Sequence, residues 1–180
     1  MKIYECLKQD HEELKDILGR LVQLEDSDVK RFELLEEVRD ALIPHSRAEE
    51  AVFYNSIRAL DADSGKIMHG YKEHIEAEGL LRALQVQEKV NLGWKATARK
   101  LKEAIEHHIQ EEETQIFDLA RKLLSDDDAE KIGVAFEKMK PEIQKEGMVG
   151  TTFEMIKNLM PSRLGKTVKS GASHPQSKKS

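Results

Sequence analysis

His45-Ser46-Arg47-Ala48-Glu49-Glu50-Ala51-Val52-Phe53-Tyr54 decides the fold, because the chain contains this stretch twice. The second copy, His108-Ile109-Gln110-Glu111-Glu112-Glu113-Thr114-Gln115-Ile116-Phe117, begins 63 residues later. Both read histidine, three residues, Glu-Glu, two residues, then two large apolar or aromatic positions. The same shift carries Asp10-His11-Glu12 onto Glu73-His74-Ile75. Each half of the chain therefore holds one lone histidine and one His-x3-Glu. A repeat of fixed period constrains the architecture before any finer reading. Here it also selects six side chains of metal-binding type: His11, His45, Glu49, His74, His108 and Glu112.

The apolar residues flanking these six fall at spacings of three and four, the period of one helical face. Helix 1 is expected over residues 3–24, with Ile3, Leu7, Leu14, Leu18 and Leu21 on one stripe and His11 among them. Helix 2 is expected over 29–60, with Leu34, Val38, Leu42, His45, Glu49, Val52 and Ser56 facing inward. Pro44 lies within it; proline removes a backbone hydrogen bond and clashes with the preceding turn, which predicts a kink just before His45. Helix 3, over 64–90, aligns Ile67, Gly70, His74, Ala77, Leu81 and Leu84. Helix 4, over 94–124, aligns Leu101, Ile105, His108, Glu112, Ile116, Leu119 and Leu123. Ser125-Asp126-Asp127-Asp128 then caps a shorter fifth helix ending near Lys140-Pro141. Four long helices with short links predict an all-α, antiparallel up-down-up-down four-helix bundle. The domain reading is a bundle over residues 1–140, then an arm over 141–180 that ends in a disordered basic tail.

With 180 residues there is room for one domain with a real core. A hydrophobic share of 39% against 35% charged, with 4 Pro and 10 Gly, favours a soluble helical protein. Cys6 is the one cysteine, so no internal disulfide forms and a reducing compartment fits. Charges interrupt Met1–Lys8 where a signal peptide needs its apolar segment. No apolar run nears the roughly 20 residues of a membrane span. The expectation is a cytoplasmic protein with no membrane partner. The net charge is −5, and residues 162–180 contribute +5 of their own, leaving −10 on the rest. An acidic body argues against nucleic acid as a partner.

Residues i and i+4 of a helix stack on one side, so His45 with Glu49, and His108 with Glu112, point into the bundle. A buried carboxylate without a partner costs several kcal/mol, roughly, before it protonates. Neutral imidazoles do not offset two such charges, whereas two divalent or trivalent cations do. Imidazole with carboxylate suits iron, manganese and zinc, and bundle cores house dinuclear sites. A single histidine on an apolar face is usually a satisfied core residue, but two motif copies and two lone histidines in one register exceed that explanation. His107-x3-Glu111 and His69-x3-Glu73 fit the same pattern, yet His107 lies about 100° around the helix from His108, off the stripe.

These residues resemble the hemerythrin-like HHE cation-binding domains. Asp10-His11-Glu12-Glu13-Leu14, His45-x3-Glu49-Glu50 with Phe53-Tyr54, Glu73-His74, and His108-x3-Glu112-Glu113 with Ile116-Phe117 carry the likeness, over about residues 1–140. The resemblance implies a non-heme di-iron centre of two iron ions per chain, with His11, His45, His74 and His108 as terminal ligands. It also implies Glu49 and Glu112 as bridges beside an oxo or hydroxo group. Oxygen-carrying members have His-x3-His on the third helix and His-x4-Asp on the fourth. Here His69 and Glu73 stand in the third-helix region, and no Asp follows His108 at that distance. His69, about 140° from His74 on an ideal helix, is read as an outer residue. Tyr54, matched in the repeat by Phe117, is the one asymmetric aromatic near the motif. The functional expectation is a protein, monomer or homodimer, that binds or reacts with a small oxidant or diatomic: O2, NO or H2O2. The alternative is a non-enzymatic iron or oxygen sensor or iron-binding protein.

Overall fold

The computed structural model describes residues 1–60, 65–90 and 93–146, apart from the side chains of 88–90 and 146. Seven α-helices follow in order: α1 (Ile3–Gln23), α2 (Lys30–Ala48), α3 (Asn55–Leu60), α4 (Gly65–Val90), α5 (Trp94–Glu111), α6 (Phe117–Leu123) and α7 (Asp126–Glu146). No strand occurs among the described residues. Two π-helical turns, Glu49–Tyr54 and Glu112–Ile116, join α2 to α3 and α5 to α6 without a break. The described residues thus make five rods. Helix α1 packs against α2 and α5, and α4 against the same two, closing a four-membered ring; α7 lies over α1 and α2. No helix in the described residues is long and apolar enough to cross a membrane.

The stripes read from the sequence form the core. One apolar cluster gathers Leu14, Leu18, Leu21, Leu35, Val38, Leu42, Leu81, Leu84, Trp94 and Leu101; the other gathers Ile3, Leu7, Val52, Phe53, Tyr54, Ile67, Phe117 and Phe136. Between them lies a polar layer, because the inward histidine of each of the four ring rods falls midway along its stripe. In α2 the buried residue is Leu35 rather than Leu34, which is half-buried.

Pro44 sits inside α2, which continues unbroken through His45, and the departure from α geometry begins at Glu49. One expectation about helix length is corrected. The fifth helix is not short: α7 spans 21 residues, as α1 does, and runs through Pro141 to Glu146. Proline forfeits one hydrogen bond there, but Phe136, Met139 and Ile143 are buried on the bundle and hold the helix past it. Its start is as read: the Ser125 amide donates to Asp128 at 3.1 Å and the Asp128 amide donates to Ser125 Oγ at 3.2 Å, a reciprocal cap. The rest of the 141–180 arm, from residue 147 on, lies outside the described residues.

Candidate metal centre

All six inward residues are buried together. His11, Glu49 and Glu112 have no exposed surface, and His45, His74 and His108 are 1–4% exposed. The histidines pair by halves of the repeat. The rings of His11 and His45 are 5.2 Å apart, and those of His74 and His108 are 4.6 Å apart. The glutamates cross between the halves. Glu49 Oε2 lies 3.7 Å from His45 Nε2 and 3.3 Å from His74 Nε2. Glu112 Oε2 lies 3.1 Å from His11 Nε2. Glu49, His74 and His108 each offer a ligand atom within 4.8 Å of the others.

A second layer orients the first. Each imidazole donates its Nδ1–H to a carboxylate: His11 to Glu113 at 2.9 Å, His45 to Asp10 at 3.1 Å, His74 to Glu50 at 2.9 Å and His108 to Glu73 at 3.0 Å. An ionised carboxylate brings no hydrogen, so the ring proton sits on Nδ1 and the Nε2 lone pair faces inward. That is the tautomer a ligating histidine needs. The layer obeys the repeat. The acid preceding each lone histidine holds the motif histidine of its own half, and the second glutamate of each motif holds the lone histidine of the other half. These four acids stood in the quoted motifs without a role; their presence in both copies is the signal that marks them. Further charges steady them, with Lys140 on Asp10 at 2.7 Å and Arg47 on Glu50 at 3.1 Å.

The inner atoms lack partners. Both oxygens of Glu49, both of Glu112 and His11 Nε2 are buried without a hydrogen bond, since the 3.1 Å approach of His11 to Glu112 is not aligned for one. His74 Nε2 and His108 Nε2 lie 3.1 Å apart, within hydrogen-bond reach of each other. In a protein without metal, protons relieve this in part. Burial and repulsion from Glu112 push the Glu49 carboxyl well above the usual range. His11 is pulled down by burial, yet Glu112 and Glu113 raise it to about 9. Burial depresses His45 to about 4 and lowers His74 as well. Four imidazoles and two carboxylates buried together in this way fit cations.

Tyr54 and His69 separate clearly. The Tyr54 ring stacks on His74, centroids 5.6 Å apart and planes 3° from parallel, and its buried hydroxyl has no hydrogen-bond partner. A side chain at Gly70 would collide with it, because a Cβ there falls 2.6 Å from Tyr54 Oη. His69 and His107 are exposed and do not enter the centre.

Comparisons with known proteins bear on the family and the fold. The hemerythrin HHE cation binding domain matches residues 2–120. A DNA nickase of Nostoc sp. is 26% identical over 145 residues, which are 81% of this chain and 41% of that protein. The chain thus spans less than half of that relative. The crystal structure of a hemerythrin HHE cation binding domain-containing protein from Mycobacterium kansasii superimposes with a TM-score of 0.71. The alignment covers 93% of this chain and 99% of that one at 19% identity, a likeness of fold.

Proposed function

Because the chain belongs to the hemerythrin HHE cation-binding domain family, we propose that its metal is a pair of iron ions that engages a small oxidant or diatomic: O2, NO or H2O2. The observation carrying this reading is the set of buried, partnerless Glu49 and Glu112 oxygens facing inward-directed imidazole nitrogens. His11, His45, His74 and His108 would hold the irons through Nε2. Glu49, which lies near histidines of both halves, and its counterpart Glu112 would supply the carboxylate ligands. Imidazole and carboxylate donors suit iron, and such a pair supplies two electrons and a binding position to a small ligand.

The protein's own residues set the conditions. Asp10, Glu50, Glu73 and Glu113 fix the ring tautomers and raise the basicity of the Nε2 atoms. The two apolar clusters exclude water and bulky substrates from the polar layer. Tyr54 offers the centre a further oxygen or a proton, its hydroxyl being otherwise unused. The single cysteine, Cys6, is buried and suits a reducing, cytoplasmic setting.

Metal stoichiometry and the electronic spectrum of protein grown with ample iron test the reading. Two irons per chain with near-ultraviolet absorption, both lost in Glu49→Ala and Glu112→Ala, are expected, followed by turnover or binding of peroxide, NO or O2. A colourless, metal-free protein refutes it. A nucleic-acid role rests on the likeness to the Nostoc nickase, of which this chain spans 41%. The −10 charge ahead of residue 162 disfavours contact with phosphates, and a plasmid-nicking assay on the loaded protein decides the matter.

A further inference from the structure

Asp10 and Glu73 are counterparts in the repeat, but their outer surroundings differ. Beyond His45, Asp10 meets Lys140, whose Nζ lies 2.7 and 3.0 Å from its two oxygens. A cation therefore answers the carboxylate. Glu73 uses Oε2 for His108, and its Oε1 faces two other imidazoles, 3.6 Å from His69 Nε2 and 3.8 Å from His107 Nε2. A second carboxylate joins them: Glu111 Oε2 is 3.3 Å from His69 Nε2, and Glu111 Oε1 is 3.8 Å from His107 Nε2. Where Asp10 meets a lysine, Glu73 meets two imidazoles and a second carboxylate.

The geometry follows from the sequence. His69-x3-Glu73 lies on α4 and His107-x3-Glu111 on α5, so i, i+4 stacking presents both pairs where these two helices pack. Ligand atoms of His69, Glu73 and Glu111 come within 4.8 Å of one another. Tetrahedral zinc with bonds of about 2.0 Å sets neighbouring donors about 3.3 Å apart, so separations of 3.3 and 3.6 Å need little closing. A cavity of about 300 Å³ opens beside these three residues, and one of about 350 Å³ adjoins Glu73 and His107. His69 and His107 are more than half exposed, so a cation reaches them from solvent.

We propose that His69, Glu73 and Glu111, with His107 at the margin, form a second, solvent-facing site for a divalent transition-metal cation such as Zn2+. Nitrogen and oxygen donors in this mixture select such a cation over calcium or magnesium. Glu73 joins the two sites, since one oxygen faces the surface cation and the other orients His108. The site stands whether or not the buried centre prefers iron.

Equilibrium dialysis of the full chain against Zn2+ tests it, comparing wild type with the His69→Ala/Glu111→Gln variant. His69 is exposed and Glu111 half-buried, and the two changes leave Glu73 and the six buried residues intact. Wild type should retain one more Zn2+ per chain than the variant, and binding of that ion should shift the ring NMR signals of His69 and His107. Equal stoichiometry, or unshifted signals, overturns the proposal. Ions that the variant still holds report the buried centre separately, so failure of one site is not mistaken for failure of the other.

Discussion

Asp10 accepts the Nδ1 proton of His45 at 3.1 Å, and 63 residues further on Glu73 accepts that of His108 at 3.0 Å. The pairs have the same sequence separation because the repeat places them. Removing the charge without the shape isolates what such a carboxylate does. Partners of this kind usually change metal affinity 10–100-fold. Asp10→Asn should weaken metal binding by about that factor, while the helical circular dichroism of the metal-free protein stays unchanged. Wild-type affinity in a competitive chelator titration contradicts this role.

Without metal, stability should fall as pH rises above neutrality. His11 has a folded value of about 9 against an ordinary value of 6.5. A raised folded pKa contributes stability that is full below 6.5 and is lost as pH climbs through about 9. Glu49, raised by burial and by Glu112, acts in the same direction. His45, depressed by burial to about 4, acts at the other end, where stability is lost as pH falls below 6.5. Urea midpoints of chelator-treated protein should therefore drop between pH 7 and 9. Metal replaces those protons, so the loaded protein should show a flatter profile and release protons on loading. A chelated protein that gains stability over this window contradicts the assignment.

Gly133 is a contact point between α7 and the N-terminus. A Cβ there would lie 2.5 Å from the Met1 carbonyl oxygen and 3.0 Å from the Ile3 amide nitrogen, both backbone atoms. Neither can swing aside as a side chain would. Gly133→Ala should destabilise the fold by roughly 1–3 kcal/mol, the range for overpacking, seen as a lower thermal midpoint with metal stoichiometry intact. An unchanged midpoint shows that α7 and the N-terminus separate at little cost.

The six inward residues were legible because helical spacing and the repeat agree on them, and all six are buried. The second layer was harder to read. Asp10, Glu50, Glu73 and Glu113 lie off the apolar stripes, and a carboxylate beside a stripe reads as solvated until its partner across the bundle is known. The π turns were invisible because a 100° wheel assumes one geometry throughout. The wider turn lets Val52, Phe53 and Tyr54 all be buried beyond Glu49, which an ideal stripe forbids. Pro141 does not end α7, because its local cost is outweighed by packing of Phe136, Met139 and Ile143 on both sides of it.

Tyr54 joins these layers and gives the sharpest test. Its ring lies in a notch that only glycine at position 70 leaves open, with a Cβ there falling 2.6–2.9 Å from its hydroxyl and ring atoms. Gly70→Ala should push the ring off His74 and cost roughly 1–3 kcal/mol. Tyr54→Phe asks a different question, because it keeps the ring and removes only the hydroxyl. That hydroxyl is buried without a partner, and burial together with the charges of Glu49 and Glu112 holds its proton on well above the ordinary phenol range. Deleting an unsatisfied polar group should be neutral or stabilising in chelated protein. If the hydroxyl serves the metal centre, the sign reverses on loading. Tyr54→Phe should then gain less thermal stability from metal than wild type does. Equal gains in both proteins would reduce Tyr54 to a packing residue, whereas a smaller gain in the variant makes it part of the site.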